Sequence, residues 1–428
     1  MKIKTRALPY EEVLRLPRPE HRPPHRPNAF FRALVRAAGA GDLKAAHFTY
    51  TTERMDAVGD GPCLILMNHS SFIDLEIAAE VFRGRPYCIV CTSDGFVGKE
   101  WLMRQIGCIP TNKFVTDVSL IADMRRALEQ GCSVLLYPEA SYSFDGCATP
   151  LPRRLGVMLK RLDVPVIGVL TEGAFARDPL YNCLQKRDVA VSAAVRGLLS
   201  RDEVRQKSVD ELDAILDEMF SFDNFAWQER NGVEIAEPFR ADGLHRILYK
   251  CAHCGAEGET EGRGTRFACR RCGKAYELDT LGRLRALDGE TEFPHVPDWY
   301  AWERGEVRRE IEAGTYRLDA EVEIGMLVDF KAIYMVGSGR LVHDETGFTL
   351  TGCGGKLRFT RPAKQCYSLY ADYYWYELGD MICIGDTQTQ YYCFPKGNVP
   401  VAKARLATEE LYKRYRAGRG AGRSARAD

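Results

Sequence analysis

The sequence predicts a mixed α/β sheet covered by helices, then a small cysteine-rich ribbon, then a β-rich region closed by a terminal helix. Three observations predict it. Strand-length apolar runs alternate with helical stretches from Cys63 to Val195. Two Cys-x2-Cys pairs lie in a short polar stretch, and aromatic β-type runs crowd the chain after Pro294. Alternation of strand and helix implies a sheet with helical cover.

The elements follow in order. The chain through Pro27 is rich in Pro and Arg and is expected to be irregular. Asn28 can cap a helix from Ala29 to about Ala38, with Phe30, Phe31, Leu34 and Val35 on one face and Arg32 and Arg36 flanking it. Such a face suits either an interfacial helix on anionic lipid or a helix docked on a core. Cys63–Met67 is expected as a buried strand, and Asp74 to Phe82 as a helix. Tyr87–Thr92, Ser133–Tyr137, Val164–Leu170 and Val189–Val195 are further strands. A helix from Val118 to Gln130 ends at Gly131, a left-handed cap. Ser208 and Glu211 form a capping box that opens a helix to about Phe220. Beyond the ribbon, Glu321–Ile324, Ala332–Val336, Gly347–Leu350, Lys356–Phe359, Met381–Ile384 and Gln390–Phe394 are strand-like, and a helix runs from Val401 to Tyr415. Several strands and one closing helix suit a small barrel of pleckstrin-homology type.

The 428 residues carry 59 basic and 59 acidic side chains, so the net charge is zero. That argues against a whole-protein nucleic-acid footprint. The first 36 residues are locally basic, with nine Lys/Arg against three Glu. Fifteen cysteines without an export signal fit a reducing compartment, so a cytoplasmic location is expected. No apolar run approaches the ~18–20 residues of a spanning helix. A lipid substrate would have to be met from the inner membrane surface, as a peripheral protein.

Asn68-His69-Ser70-Ser71-Phe72-Ile73-Asp74 directly follows the Cys63–Met67 strand. Sites in open α/β sheets lie at the carboxyl ends of strands. A neutral imidazole can take a proton from a hydroxyl near neutral pH. A carboxylate on the other ring nitrogen fixes its tautomer and stabilises the imidazolium. Three further blocks follow: Gly107 to Lys113, Tyr137-Pro138-Glu139-Ala140-Ser141-Tyr142-Ser143, and Val164-Pro165-Val166-Ile167. In this order and spacing, the chain from about Phe48 to Phe220 resembles the glycerolipid acyltransferases, whose best-known members act on lysophosphatidic acid.

The resemblance implies His69 as general base and Asp74 as its orienting partner. It places Lys113 at the acceptor's phosphate, and Glu139 at the acceptor's hydroxyls or as an ordering group. Ser141 of the third block would also line the acceptor. Acyl-CoA or an acyl carrier protein would be the donor. Three positions depart from the family pattern. Lys113 stands for an Arg and lacks the bidentate fork. Ala140 stands for a Gly, so an ordinary backbone angle is expected there. Tyr142 stands for an Arg and removes a cation from the phosphate site.

Cys251, Cys254, Cys269 and Cys272 form two knuckles, each followed by Gly and separated by fourteen residues. That spacing is that of a closed tetrahedral zinc ribbon, so the zinc is expected to be structural. The boundaries expected are 1–43 for a basic segment with an amphipathic helix, 44–236 for the acyltransferase domain and 237–290 for the ribbon. The β-rich domain follows over 294–416, with a disordered basic tail over 417–428. The reading is an O-acyltransferase for a lyso-phospholipid of 1-acylglycerol-3-phosphate type. Another lipid, amine or glycolipid acceptor is the alternative, and a zinc-ribbon protein binding nucleic acid or protein is the third.

Overall fold

The computed structural model describes residues 2–115 and 117–424, without the side chains of 418–424. Its first sheet has seven strands in the spatial order 49–53, 192–199, 166–172, 64–67, 133–136, 87–92, 108–111. Neighbours are parallel except the pair Val166–Glu172 with Ser192–Leu199. The central strand Leu64–Met67 is buried along its whole length, which is why it reads as a continuous apolar run. Its alternate residues feed two cores. Ile65 and Met67 pack with Ile73 and Ile77 on one face, and Leu64 and Leu66 with Met124 and Leu212 on the other.

Helices Asp74–Val81 and Ala29–Ala45 pack closely, because Gly39 leaves room for Glu76; an added Cβ there would lie 2.9 Å from it. Asn28 caps the second of these through a 2.9 Å bond from Phe30 N, and the helix runs seven residues past the expected Ala38. Helix Val118–Glu129 ends at Gly131 with φ 76°, and Ser208 and Glu211 make the capping box of helix Val209–Met219.

The ribbon is a four-stranded antiparallel sheet, Thr260–Arg263, Arg266–Cys269, Ala275–Leu278 and Leu284–Ala286. A helix the sequence reading missed, Val296–Glu312, follows it; Pro297 sits in its first turn, where no backbone N–H is needed. The β-rich sheet orders its strands 357–362, 347–352, 333–344, 318–327, 390–395, 379–385, 370–375. Tyr370–Trp375 is a strand not foreseen. The sheet is thus a four-strand and a three-strand meander joined by the pair Val322–Leu327 with Gln390–Pro395.

Two expectations for the chain ends are corrected. The N-terminal stretch is irregular only in part, from residue 17 to 28: before that, Thr5–Ala7 pairs in parallel with Ile333–Met335, and Tyr10–Leu14 is a helix whose Val13 is fully buried in a core that includes the β-rich domain. Extended pairing and an apolar anchor tie that segment to the far end of the sequence. The terminal helix spans Val401–Ser424, so most of the stretch expected as a tail is helical. Its last four residues lie outside those described.

Candidate active site

Three loops of the first sheet leave strands that all run in parallel: after Met67, after Thr111 and after Leu136. Parallel register brings all three strand ends to one edge, and with them His69, Lys113 and the third block. Asn68 fixes the first loop. Its Oδ1 accepts from Thr171 N at 2.7 Å and Thr171 Oγ1 at 3.1 Å, and its Nδ2 donates to Thr171 O at 3.2 Å. The motif's asparagine therefore binds the loop to the neighbouring strand.

His69 Nδ1 donates to Asp74 Oδ2 over 3.0 Å. The same oxygen accepts from Ser70 N at 2.9 Å and Ser71 N at 3.1 Å, as an acid at a helix start can. Asp74 is buried, while the His69 side chain is 15% exposed. Tyr137 stacks on the imidazole at 4.0 Å and Tyr142 at 3.8 Å between ring centroids. The ring is thus held between two tyrosines and, through Nδ1, to the carboxylate. Burial, and then the charge of Lys113, hold the imidazole well below its ordinary range. Burial pushes Asp74 up to about 7, against the two backbone N–H groups that favour its charge. A neutral imidazole with Nδ1 committed has its Nε2 lone pair left to accept a proton.

Glu139 is buried and both its oxygens are engaged. Oε1 accepts from His69 N at 3.3 Å, and Oε2 accepts from Thr149 N and Thr149 Oγ1, each at 2.9 Å. Its geometry is that of a group that ties the first and third blocks together. Ala140 corrects the sequence expectation, because its φ is 56°. A left-handed alanine costs about 1–2 kcal/mol. The bonds of Glu139 and the 3.0 Å bond from Ala140 N to Tyr137 O impose the turn regardless.

Ser141 has a different surrounding from the one expected. It is buried, and its Oγ accepts from Arg405 Nη2 at 2.8 Å, while Arg405 Nη1 donates to Tyr142 O at 3.1 Å. Arg405 belongs to the terminal helix, 263 residues from Tyr142. Lys113 lies under the β-rich domain, its Nζ 4.3 Å from the Tyr370 ring centroid and 5.8 Å from that of Tyr142. Asp94, at the end of strand Tyr87–Thr92, accepts from Tyr370 OH at 2.7 Å and Trp375 Nε1 at 3.1 Å. Sequence reading missed Arg405 and Asp94, and did not link Tyr370 to the motif. Only chain topology joins them to the motif, and no local pattern signals it.

In the ribbon, the sulfurs of Cys251, Cys254, Cys269 and Cys272 lie within 4.8 Å of one another, with two pairs at 3.8 Å. A tetrahedron with bonds of about 2.3 Å has edges of about 3.8 Å, so the four thiols fit a zinc ion. Gly255 and Gly273 adopt φ 74° and 78°, as the knuckle turns require.

A histidine held by a carboxylate, set at the strand ends of a mixed α/β sheet, is the arrangement that the acyltransferase resemblance implies. Residues 47–172 match the family model Acyltransferase, the segment that carries the glycerolipid acyltransferase resemblance. The chain is 27% identical over 119 residues to a chloroplastic 1-acyl-sn-glycerol-3-phosphate acyltransferase, BAT2, of Brassica napus. That stretch is 27% of this chain and about a third (34%) of the relative's length. The crystal structure of the 1-acyl-sn-glycerophosphate acyltransferase PlsC of Thermotoga maritima covers 44% of this chain and 79% of its own, at 16% identity. Its TM-score of 0.31 is too low to carry any detail of the fold.

Proposed function

We propose that the protein transfers a fatty acyl group from acyl-CoA or acyl carrier protein to the hydroxyl of a lyso-phospholipid. The observation that carries this is the 3.0 Å bond from His69 Nδ1 to Asp74 in a ring kept neutral by burial. His69 Nε2 takes the hydroxyl proton as the alcohol oxygen attacks the thioester carbonyl. The C–O ester bond forms, the C–S bond breaks, and the proton passes from Nε2 to the departing thiolate. Asp74 stabilises the imidazolium while it lasts. Lys113 supplies charge for the acceptor's phosphate, and Glu139 and Ser141 order the loop of the third block beside it.

A membrane-surface position supports a lipid acceptor. No described helix is long and apolar enough to cross a membrane. Phe30, Leu34, Phe72 and Trp101 are exposed at 69, 50, 55 and 65%. A cleft of about 270 Å³ between the 29–45 and 74–81 helices is lined by Ala33, Val35, Leu75 and Ala79, with Arg32, Arg36 and Arg83 also on its wall. Apolar groups beside arginines suit an anionic bilayer on the inner face. Co-sedimentation with anionic vesicles, lost in Phe30→Ser/Trp101→Ser, checks this placement; unchanged sedimentation contradicts it. The zinc is structural, since four thiolates leave no open position. The β-rich domain is a candidate pleckstrin-homology-like unit by its strand meanders and terminal helix.

The experiment is acceptor-dependent thiol release from acyl-CoA or acyl carrier protein, with the ester identified by mass spectrometry. Absence of release with every lyso-phospholipid and both donors contradicts the reading.

A further inference from the structure

The loop that carries Lys113 is gripped on both sides by the β-rich domain. Before the lysine, Asn112 Nδ2 donates to Asp386 O at 3.1 Å. After it, Phe114 O accepts from Arg361 Nη2. Arg361 sits on the strand Leu357–Pro362, is buried, and lies 247 residues from Phe114. Its Nη1 donates to Gly385 O, so both tethers meet at one turn of the β-rich sheet. That turn is itself closed. Asp386 N donates to Thr389 O at 3.0 Å, and Asp386 Oδ1 accepts from Gln388 N at 2.8 Å and Thr389 N at 2.9 Å. The paired strands Gly379–Gly385 and Gln390–Pro395 hold it at either end.

Phe114 has a left-handed φ of 57°. A non-glycine residue stays in that region only when its surroundings impose it. Phe114 packs against the cluster that holds Tyr370, Trp375 and Tyr392, and its ring meets Tyr367 edge-on at 5.2 Å. The Lys113 ammonium stands 4.3 Å from the Tyr370 ring centroid. A ring face attracts an ammonium without using any of its three N–H donors. The β-rich domain therefore fixes the residue before Lys113, the residue after it and the ring beneath its charge. The placement matters because the family has arginine here. An arginine fork aligns itself on a phosphate through two parallel bonds. An ammonium on a flexible four-carbon stem is a point charge, and its position must come from what surrounds it.

On the acyltransferase reading above, we propose that Arg361, assisted by Asn112, is a positioning residue that sets the Lys113 ammonium at the phosphate of the lyso-phospholipid acceptor. The acceptor site is then built by two domains, and the β-rich domain is the part that places its cation.

The test is a double-mutant cycle on binding, read with no acyl donor present so that no turnover occurs. Full-length wild-type protein and its variants are titrated with lysophosphatidic acid below its micellar concentration. Arg361→Met and Lys113→Met should each raise Kd about tenfold. In Lys113→Met protein, adding Arg361→Met should raise Kd by less than about twofold more, because the guanidinium acts through the ammonium. A residue that only supports the fold would weaken binding by the same factor in both backgrounds. Losses that multiply, an unchanged Kd in either single variant, or no binding by wild-type protein overturns the proposal. Should Arg361→Met not fold, as thermal unfolding would reveal, Asn112→Ala replaces it in the cycle. That variant should weaken binding about threefold beside Lys113 and leave Lys113→Met protein unchanged; equal losses in both overturn the proposal. Thiol release from acyl-CoA and acyl carrier protein is measured separately. The expected cycle in a protein that releases no thiol keeps the clamp and rejects the acyltransferase reading. Thiol release with losses that multiply rejects the clamp alone.

Discussion

At the residue scale, the chemistry rests on an imidazole with its faces covered and one nitrogen committed. Tyr137 and Tyr142 restrict the ring's rotation, and Asp74 is itself restrained by two backbone N–H groups. The second cause of the lowered His69 basicity is Lys113. Protonation of His69 itself should therefore set no acid limb at the ordinary histidine range, about 6.5; a loss of kcat/KM as pH falls through about 7 would instead report protonation of Asp74, the ring's orienting carboxylate. Lys113→Met removes a positive neighbour, makes protonation of His69 easier and should move that residue's limb of the profile to higher pH. A limb that stays put would show that burial alone sets it. His69, Asp74 and the knuckle cysteines were legible in the sequence, since each acts within one loop or turn; Asn68 was legible as a motif letter, although its partner Thr171 lies on the neighbouring strand. Arg405 was not, because its partner Tyr142 lies 263 residues away.

At the scale of elements, the third block is a loop set by tertiary contacts. Its expected glycine is alanine, and the backbone is left-handed all the same. The terminal helix holds this loop through Arg405, which stacks over Phe144 at 4.4 Å and bonds Ser141 and Tyr142. Arg405→Met keeps volume and removes the donors. Buried charge-assisted hydrogen bonds of this kind are worth about 2 kcal/mol. Thermal and denaturant unfolding should register a loss of that order, and kcat should fall more than KM rises. A change in KM alone would place Arg405 at the acceptor instead. In the first domain the strands near Leu64–Met67, Tyr87–Thr92, Ser133–Leu136 and Val166–Glu172 followed from periodicity, whereas the edge strands Thr49–Glu53 and Cys108–Thr111 and the helix Leu155–Leu162 were not foreseen. The helix Val296–Glu312 escaped because Pro294 and Pro297 resemble breakers, although the second only opens the helix.

At the scale of the whole molecule, ribbon and active site share a helix. Lys403 Nζ lies 2.8 Å from Glu257 and 2.8 Å from Glu310, and Lys250 Nζ lies 3.3 Å from Glu257 and 3.1 Å from Glu306. Lys250 and Glu257 flank the first knuckle, and Lys403 stands two residues before Arg405 in the helix that holds the third block. Removing zinc should therefore disturb a site that the metal does not touch. A chelator strong enough to strip one zinc per chain should lower kcat and change the near-ultraviolet circular dichroism of the tyrosines. Full activity of the metal-free chain would contradict this coupling. The Thr5–Ala7 strand likewise joins the beginning of the chain to the β-rich sheet, a pairing three residues long that no sequence period could announce.

The most direct measurement of the central claim is kcat/KM for acceptor-dependent thiol release in wild-type protein and in His69→Ala of equal thermal stability. Loss of a positioned general base typically costs 10²–10⁴-fold, so a fall of about 10³-fold is expected. Equal kcat/KM in the two proteins would contradict the assignment of His69 as the base.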